Sequence, residues 1–250
     1  MGGRKAAVRA DWRNIFFVTN RALILEVIEL GPPSRENLQL PTGCPQRRVN
    51  GRRAHAGRHA HAPRSAVRAI MVKCIRKKVV VAGEPAVGKT ALVQMLTTGG
   101  QKFPKNYQMT QCEFACKTLP QPDSDVHVEL HLFDTGGQDV FADLMPQYWE
   151  GADGVVLVFD VTRPDSLHAC EAWYNRLREA LQRERLPAVL VGNKADLTER
   201  VEVTRQDANA FGERMRLPVV EASAMPPGQD IEGGFQALAA LLAAQESDDF

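Results

Sequence analysis

Acidic residues are nearly missing from the first part of this 250-residue chain. Up to Lys78 there are 17 Lys and Arg against 4 Asp and Glu, whereas from Val79 onward there are 14 against 26. A net charge of +1 therefore conceals a tail that is basic by 13 and a body that is acidic by 12. An acidic body repels a phosphate backbone, which argues against nucleic acid as a partner of the folded part. Cysteine pairs at zinc-like spacing are lacking too. Cys44, Cys74, Cys112, Cys116 and Cys170 are odd in number, contain no CxxC and follow no secretory signal, so they read as reduced thiols of a cytosolic protein. Cys112 and Cys116 could suggest a metal site, but no His or Cys pair lies near them in sequence, and that weighs against one. No uninterrupted apolar run reaches membrane-spanning length. The nearest attempt, IFFVTNRALILEVIEL, is broken by Arg21, Glu26 and Glu29.

The scarcity of acids and of apolar clusters continues to about Ile70, through the near low-complexity stretch GRRAHAGRHAHAPRSAVRA. Such a segment cannot bury enough surface to offset its ordering entropy, so residues 1–70 are expected to be a basic, disordered tail. Arginine enrichment also resembles an organelle targeting segment, against which stand Asp11, Glu26, Glu29 and Glu36. The start MGGRKA lacks the Ser or Thr wanted for N-myristoylation. The histidines of AHAGRHAHA read as a solvated tract, adventitious metal binding aside. Met71 opens MVKCIRKKVVVAG, a natural domain start, and the segment before it reads as an overextended gene model. The expected organisation is the tail (1–70), one α/β domain (71–246) and a short acidic end (247–250).

What is present begins with GEPAVGKT, Gly83 to Thr90, a glycine followed after four residues by Gly-Lys-Thr. In this pattern the backbone of Gly83, Glu84, Pro85, Ala86, Val87 and Gly88 curls around polyphosphate, with every amide but that of Pro85 available to it. Lys89 supplies charge to the β and γ phosphates, Thr90 a hydroxyl for Mg²⁺, and Ala91 opens the helix behind. KKVVVAG before the loop reads as a buried strand and ALVQMLTT after it as an amphipathic helix. A base reader is expected at the end of a later strand, and LPAVLVGNKAD supplies Asn193, Lys194 and Asp196. The Asp196 carboxylate can accept both hydrogen bonds of the guanine N1–H and amino group, Asn193 can brace the loop, and the Lys194 stem can lie over the base. Adenine offers no such donor pair. Ser223, Ala224 and Met225, in EASAM, can present backbone to guanine O6.

Between these lies VELHLFDTGGQDVF, an alternating strand that ends in DxxG. Asp134 can hold Mg²⁺ through water, Gly137 can offer its amide to the γ phosphate, and Gln138 can orient an attacking water. Upstream, KFPKNYQMT carries Phe103 as an aromatic edge on the base, Tyr107 as a lid over phosphate, and Thr110 as a Mg²⁺ ligand. Strands are expected near Val79, Glu113, Glu129, Val155, Ala188 and Val219, alternating with helices. That pattern implies a mostly parallel sheet covered on both faces, with binding loops at the strands' carboxyl ends.

The set GEPAVGKT, Thr110, DTGGQ, NKAD and SAM, with YWEGADGVVLVFDVTRPDS between, resembles a Ras-superfamily small GTPase of the Rab-like kind over residues 75 to 246 or so. MVK, LPQPDSDVHVEL, LMPQYWEGAD and PPGQD sharpen the likeness toward the Rab-like GTPases of intraflagellar transport, the intraflagellar transport protein 27 family. The resemblance implies a six-stranded P-loop small-GTPase fold, GTP/GDP and Mg²⁺ as ligands, and slow GTP hydrolysis with Gln138 as the catalytic residue. It also implies a nucleotide-dependent switch in the cytoplasm and cilium or flagellum, including the basal body. Its implied partners are a β-sandwich protein of the intraflagellar transport protein 25 family and, through it, the ciliary transport complex. A structural GTP-bound adaptor and a soluble vesicle-traffic Rab are the alternative readings. Three departures matter. Pro85 stands where relatives carry Gly or Ser; TQCEF lacks the glycine usual after the switch threonine; and QESDDF has no cysteine for a prenyl anchor.

Overall fold

The computed structural model describes residues 22–24, 72–104, 111–122, 124–137 and 144–248. Strands β2 (Val72–Ala82), β3 (Cys112–Pro120), β4 (Val126–Thr135), β5 (Gly154–Asp160), β6 (Ala188–Asn193) and β7 (Val219–Glu221) form one sheet in the order β3-β4-β2-β5-β6-β7. Five of these run parallel, and only β3 is antiparallel to its neighbour β4. The six expected strands are all there. A further short strand, β1 (Ala22–Ile24), comes from the tail and pairs antiparallel with residues 72–74 of β2. β2 begins seven residues before its pairing with β5, at Val79, and β1 occupies part of that overhang.

Residue pattern explains the layering. β5 and β6 are buried along their whole length, GVVLVFD and AVLVGN, as befits parallel strands with helices on both faces. β4 alternates instead: Val128, Leu130, Leu132 and Asp134 point inward, while His127, Glu129, His131 and Phe133 are half-exposed. Helices α1 (Lys89–Thr97) and α5 (Ile231–Asp248) cover one face, where Leu92, Met95, Leu96, Phe235 and Leu238 pack on Val79, Val81, Val156 and Val191. Helices α2 (Met145–Trp149), α3 (Pro164–Leu181) and α4 (Arg205–Met215) cover the other, where Met145, Trp149, Leu167, Trp173, Leu177 and Phe211 pack on Val80, Val155, Leu157 and Phe159. Complete burial of a Leu or Phe side chain contributes about 1.5–3 kcal/mol. These two clusters fix the strands, and with them the loops at their carboxyl ends. Local signals set the helix limits: α3 begins with Pro164 at its first turn, and α4 begins with a reciprocal cap between Thr204 and Asp207.

A candidate nucleotide site at the carboxyl ends of the strands

The loop from Gly83 to Gly88 leaves β2 and turns directly into α1. Positive φ angles at Gly83 (145°), Ala86 (62°) and Gly88 (98°) drive that turn. Ala86 is the unusual one, since a residue with a Cβ is held in the left-handed region, a strain that concentrates at functional sites. No side chain caps the first amides of α1, and its first turn carries no acid, which leaves a helix start suited to an anion. Lys89 is buried and donates to the carbonyl oxygens of Gly83 (2.9 Å) and Glu84 (2.8 Å), so its ammonium is folded back across the loop. Burial pulls its pKa down to about 8 despite the nearby Asp134 and Glu84 carboxylates.

Asp134 arrives from the end of β4. The Thr90 hydroxyl donates to its Oδ2 at 2.5 Å, while its other oxygen, Oδ1, is buried with no hydrogen-bond partner among the described residues. Burial pushes its carboxyl up to about 6, against the lowering effect of Thr90 and Lys89. An orphaned carboxylate oxygen beside a hydroxyl is the donor set a hard cation takes, so Thr90 and Asp134 fit Mg²⁺ held directly and through water. Gly137 closes the cradle. A Cβ there would stand 2.4 Å from the Gly83 oxygen and 2.8 Å from Lys89 Nζ, so only glycine lets the two backbones approach.

The residues expected to read the base lie across the sheet end, at and just after the ends of β6 and β7. Asn193 is buried between two loops: its Nδ2 donates to Val87 O (2.8 Å), and its Oδ1 accepts from the Ala224 amide (3.1 Å). Lys194, at φ 69°, reaches Asp160 Oδ2 at 2.5 Å, which holds its stem along the loop. Asp196 is exposed and its Oδ1 accepts from the Ser223 hydroxyl at 2.5 Å. The same hydroxyl accepts from the Met225 amide at 3.1 Å. Ala224 is buried, and Met225 and Phe103 are exposed. Tyr107, Thr110 and Gln138 lie outside the described residues.

Several contributors have no motif to announce them. Ser223 acts through its hydroxyl rather than only its backbone. Asp160, at the end of β5, accepts from Lys194 and Thr162; burial pushes its carboxyl up, yet these bonds outweigh it and hold the carboxyl below its usual range. Arg163 donates to the Pro85 oxygen at 2.9 Å, and Trp173 Nε1 donates to Glu84 Oε1 at 3.0 Å, so α3 grips the outer side of the phosphate loop. The polar string D-V-T-R after an apolar strand was the available signal for Asp160 and Arg163; nothing local marks Trp173.

Comparison with known proteins agrees with this geometry. The Ras family model matches residues 78–243. Intraflagellar transport protein 27 of Chlamydomonas reinhardtii is 42% identical over 169 residues, covering 66% of this chain and 83% of that protein. The Homo sapiens homologue of intraflagellar transport protein 27 is 38% identical over 170 residues, covering 68% and 90%. Ras-related protein Rab-17 of Mus musculus is 36% identical over 147 residues, covering 59% and 67%. A family model that spans most of the described sheet, together with these relatives, places the chain, whose expected phosphate, cation and base residues gather at one sheet end, in the Ras family of small GTPases.

Proposed function

We propose that this protein binds GTP and GDP with Mg²⁺, hydrolyses GTP slowly, and serves as a nucleotide-dependent switch subunit of intraflagellar transport. The observation that carries the nucleotide reading is the buried Asp134 Oδ1, unpartnered among the described residues and beside Thr90 and Lys89, a donor set that suits a cation and polyphosphate. Thr90 and Asp134 would hold Mg²⁺, with Thr110 completing the set, and the ion supplies charge neutralisation on the phosphates when bound. Lys89 would leave its two carbonyl partners for phosphate oxygens. Amides of Glu84 to Ala91 that are free to point inward would line the phosphates, with Gly137 facing the terminal one. Asp196 would select guanine over adenine, while Phe103, Lys194 and Met225 flank the base and Tyr107 covers the phosphates.

Slow turnover rests on Pro85. Its ring fixes φ and removes an amide beside the terminal phosphate, and its carbonyl is already held by Arg163. A second arginine from an activating protein would meet a crowded entrance, and such an arginine contributes factors of about 10³ to 10⁵ in related enzymes. Gln138, by its place in DTGGQ, would orient the attacking water. The transport role rests on the likeness to proteins named for intraflagellar transport. It brings with it a β-sandwich partner of the intraflagellar transport protein 25 family and a location in cytoplasm and cilium or basal body. The test is direct: denature the purified chain, identify the released nucleotide, and follow its GTP to GDP ratio in single turnover for the natural protein, Pro85→Gly and Gln138→Leu. Guanine nucleotide and a slow rate, lowered further in Gln138→Leu, are expected. Release of adenine nucleotide, or strong stimulation of the natural protein by an arginine-supplying activator, would overturn the reading.

A further inference from the structure

The outer sheet face carries a group of side chains that the nucleotide site does not use. Among the described residues, Phe114, Cys116 and Thr118 on β3 are exposed and Glu129, His131 and Phe133 on β4 are half-exposed, on the sheet face away from α1 and α5. Antiparallel register sets Cys116 directly opposite His131, and Glu129 sits two residues before His131 on the same face. Residues two apart on one strand share a side of the sheet, and a directly facing residue has its Cβ about 4.5–5.5 Å away. Three different ligand types thereby converge: Cys116 Sγ, a Glu129 carboxylate oxygen and an imidazole nitrogen of His131 all lie within 4.8 Å of one another. Along the chain no His or Cys pair lies near Cys116. Strand pairing supplies His131 from fifteen positions downstream.

We propose that Cys116, Glu129 and His131 form a Zn²⁺ site on the open face of the β3–β4 pair. Thiolate, imidazole and carboxylate together suit this borderline cation, and three protein ligands leave a fourth tetrahedral position for water. The surroundings already support the ligands. Arg76 Nε donates to Glu129 Oε1 at 3.1 Å, and Phe114 stands edge-on to the His131 ring with centroids 5.7 Å apart. His131 Nε2 and Glu129 Oε1 share a hydrogen bond of 2.7 Å, so the ion would enter by replacing one proton between two atoms already aimed at each other. The Cys116 thiol proton goes to solvent. Binding would tie β3 to β4, the two strands that connect the Thr110 and Asp134 segments, without touching the phosphate loop.

The site stands or falls independently of nucleotide binding. The full chain, saturated with GDP and excess Mg²⁺, is titrated with Zn²⁺ against a chromophoric chelator, and with Co²⁺ while near-ultraviolet thiolate-to-cobalt absorption is followed. Cys116→Ser is expected to abolish that absorption and remove one equivalent of Zn²⁺. His131→Gln and Glu129→Gln should each weaken the same equivalent at least about tenfold. Retained GDP in every variant reports that the fold is intact. Absorption that survives Cys116→Ser, or Zn²⁺ uptake equal in all four proteins, would assign the metal to Cys44 and the histidines of the tail and overturn the site.

Discussion

At the scale of single residues, the phosphate site holds two groups whose ordinary charge states are penalised by burial. Asp134, raised from 3.8 to about 6, binds its proton more tightly folded than unfolded. Its contribution to stability is therefore full below 3.8 and is lost as pH rises through about 6. Lys89, lowered from 10.5 to about 8, loses its proton more readily folded, so its penalty applies below about 8 and fades as pH climbs toward 10.5. Both penalties are in force near neutral pH, where cation and phosphates would relieve them. Asp134→Asn should therefore stabilise the nucleotide-free protein at pH 7 by on the order of 3 kcal/mol. It should also flatten the fall in stability between about pH 4 and 6 and abolish Mg²⁺-dependent retention of nucleotide. Chemical denaturation of natural and mutant protein across that range measures the first two effects. A mutant less stable than the natural protein at pH 7 would show that Asp134 is not strained in the empty site.

At the scale of elements, the sheet brings three loops from distant parts of the chain into one rim, and Asn193 joins two of them. Its amide satisfies Val87 O in the phosphate loop and the Ala224 amide after β7, and all three residues are buried. Asn193→Ala would leave both backbone groups unpartnered, each costing about 1–3 kcal/mol. The expected result is a lower melting temperature and faster nucleotide release, without a change in guanine over adenine preference. A lost preference would mean that Asn193 reads the base itself. Much of this rim was legible beforehand, because phosphate binding dictates glycine, lysine and hydroxyl at fixed offsets, and strand-end motifs announce their loops. What escaped was contact between elements. Ser223, expected to offer backbone, also caps Asp196 with its hydroxyl, and Arg163 and Trp173 touch Pro85 and Glu84 across 78 and 89 residues. Periodicity within one segment contains no information about such pairs.

At the scale of the whole molecule, the basic tail and acidic body meet in one described place, where β1 lies along residues 72–74. Among the described residues, the two core clusters begin at Val79 and Val80, with Cys74 and Ile75 buried just before them. A chain begun at Met71 should therefore keep its guanine-nucleotide affinity within about twofold by equilibrium titration; a larger loss would make β1 part of the working fold. The overhang of β2 that receives β1 was not legible, since a strand's reach beyond its neighbour depends on the neighbour's length. The grip of α3 on the phosphate loop also gives the molecule an optical property. Two of its three tryptophans stand edge to face, Trp149 and Trp173, with ring centroids 6.3 Å apart, and the Trp173 indole N–H is bonded to the loop through Glu84. An indole's emission responds to the charge beside its N–H, so light absorbed by this pair should be emitted with a colour and yield set by whether the loop is filled. Stripping nucleotide with a chelator should shift the intrinsic fluorescence, and Trp173→Phe should erase most of the shift, making the protein its own reporter of occupancy.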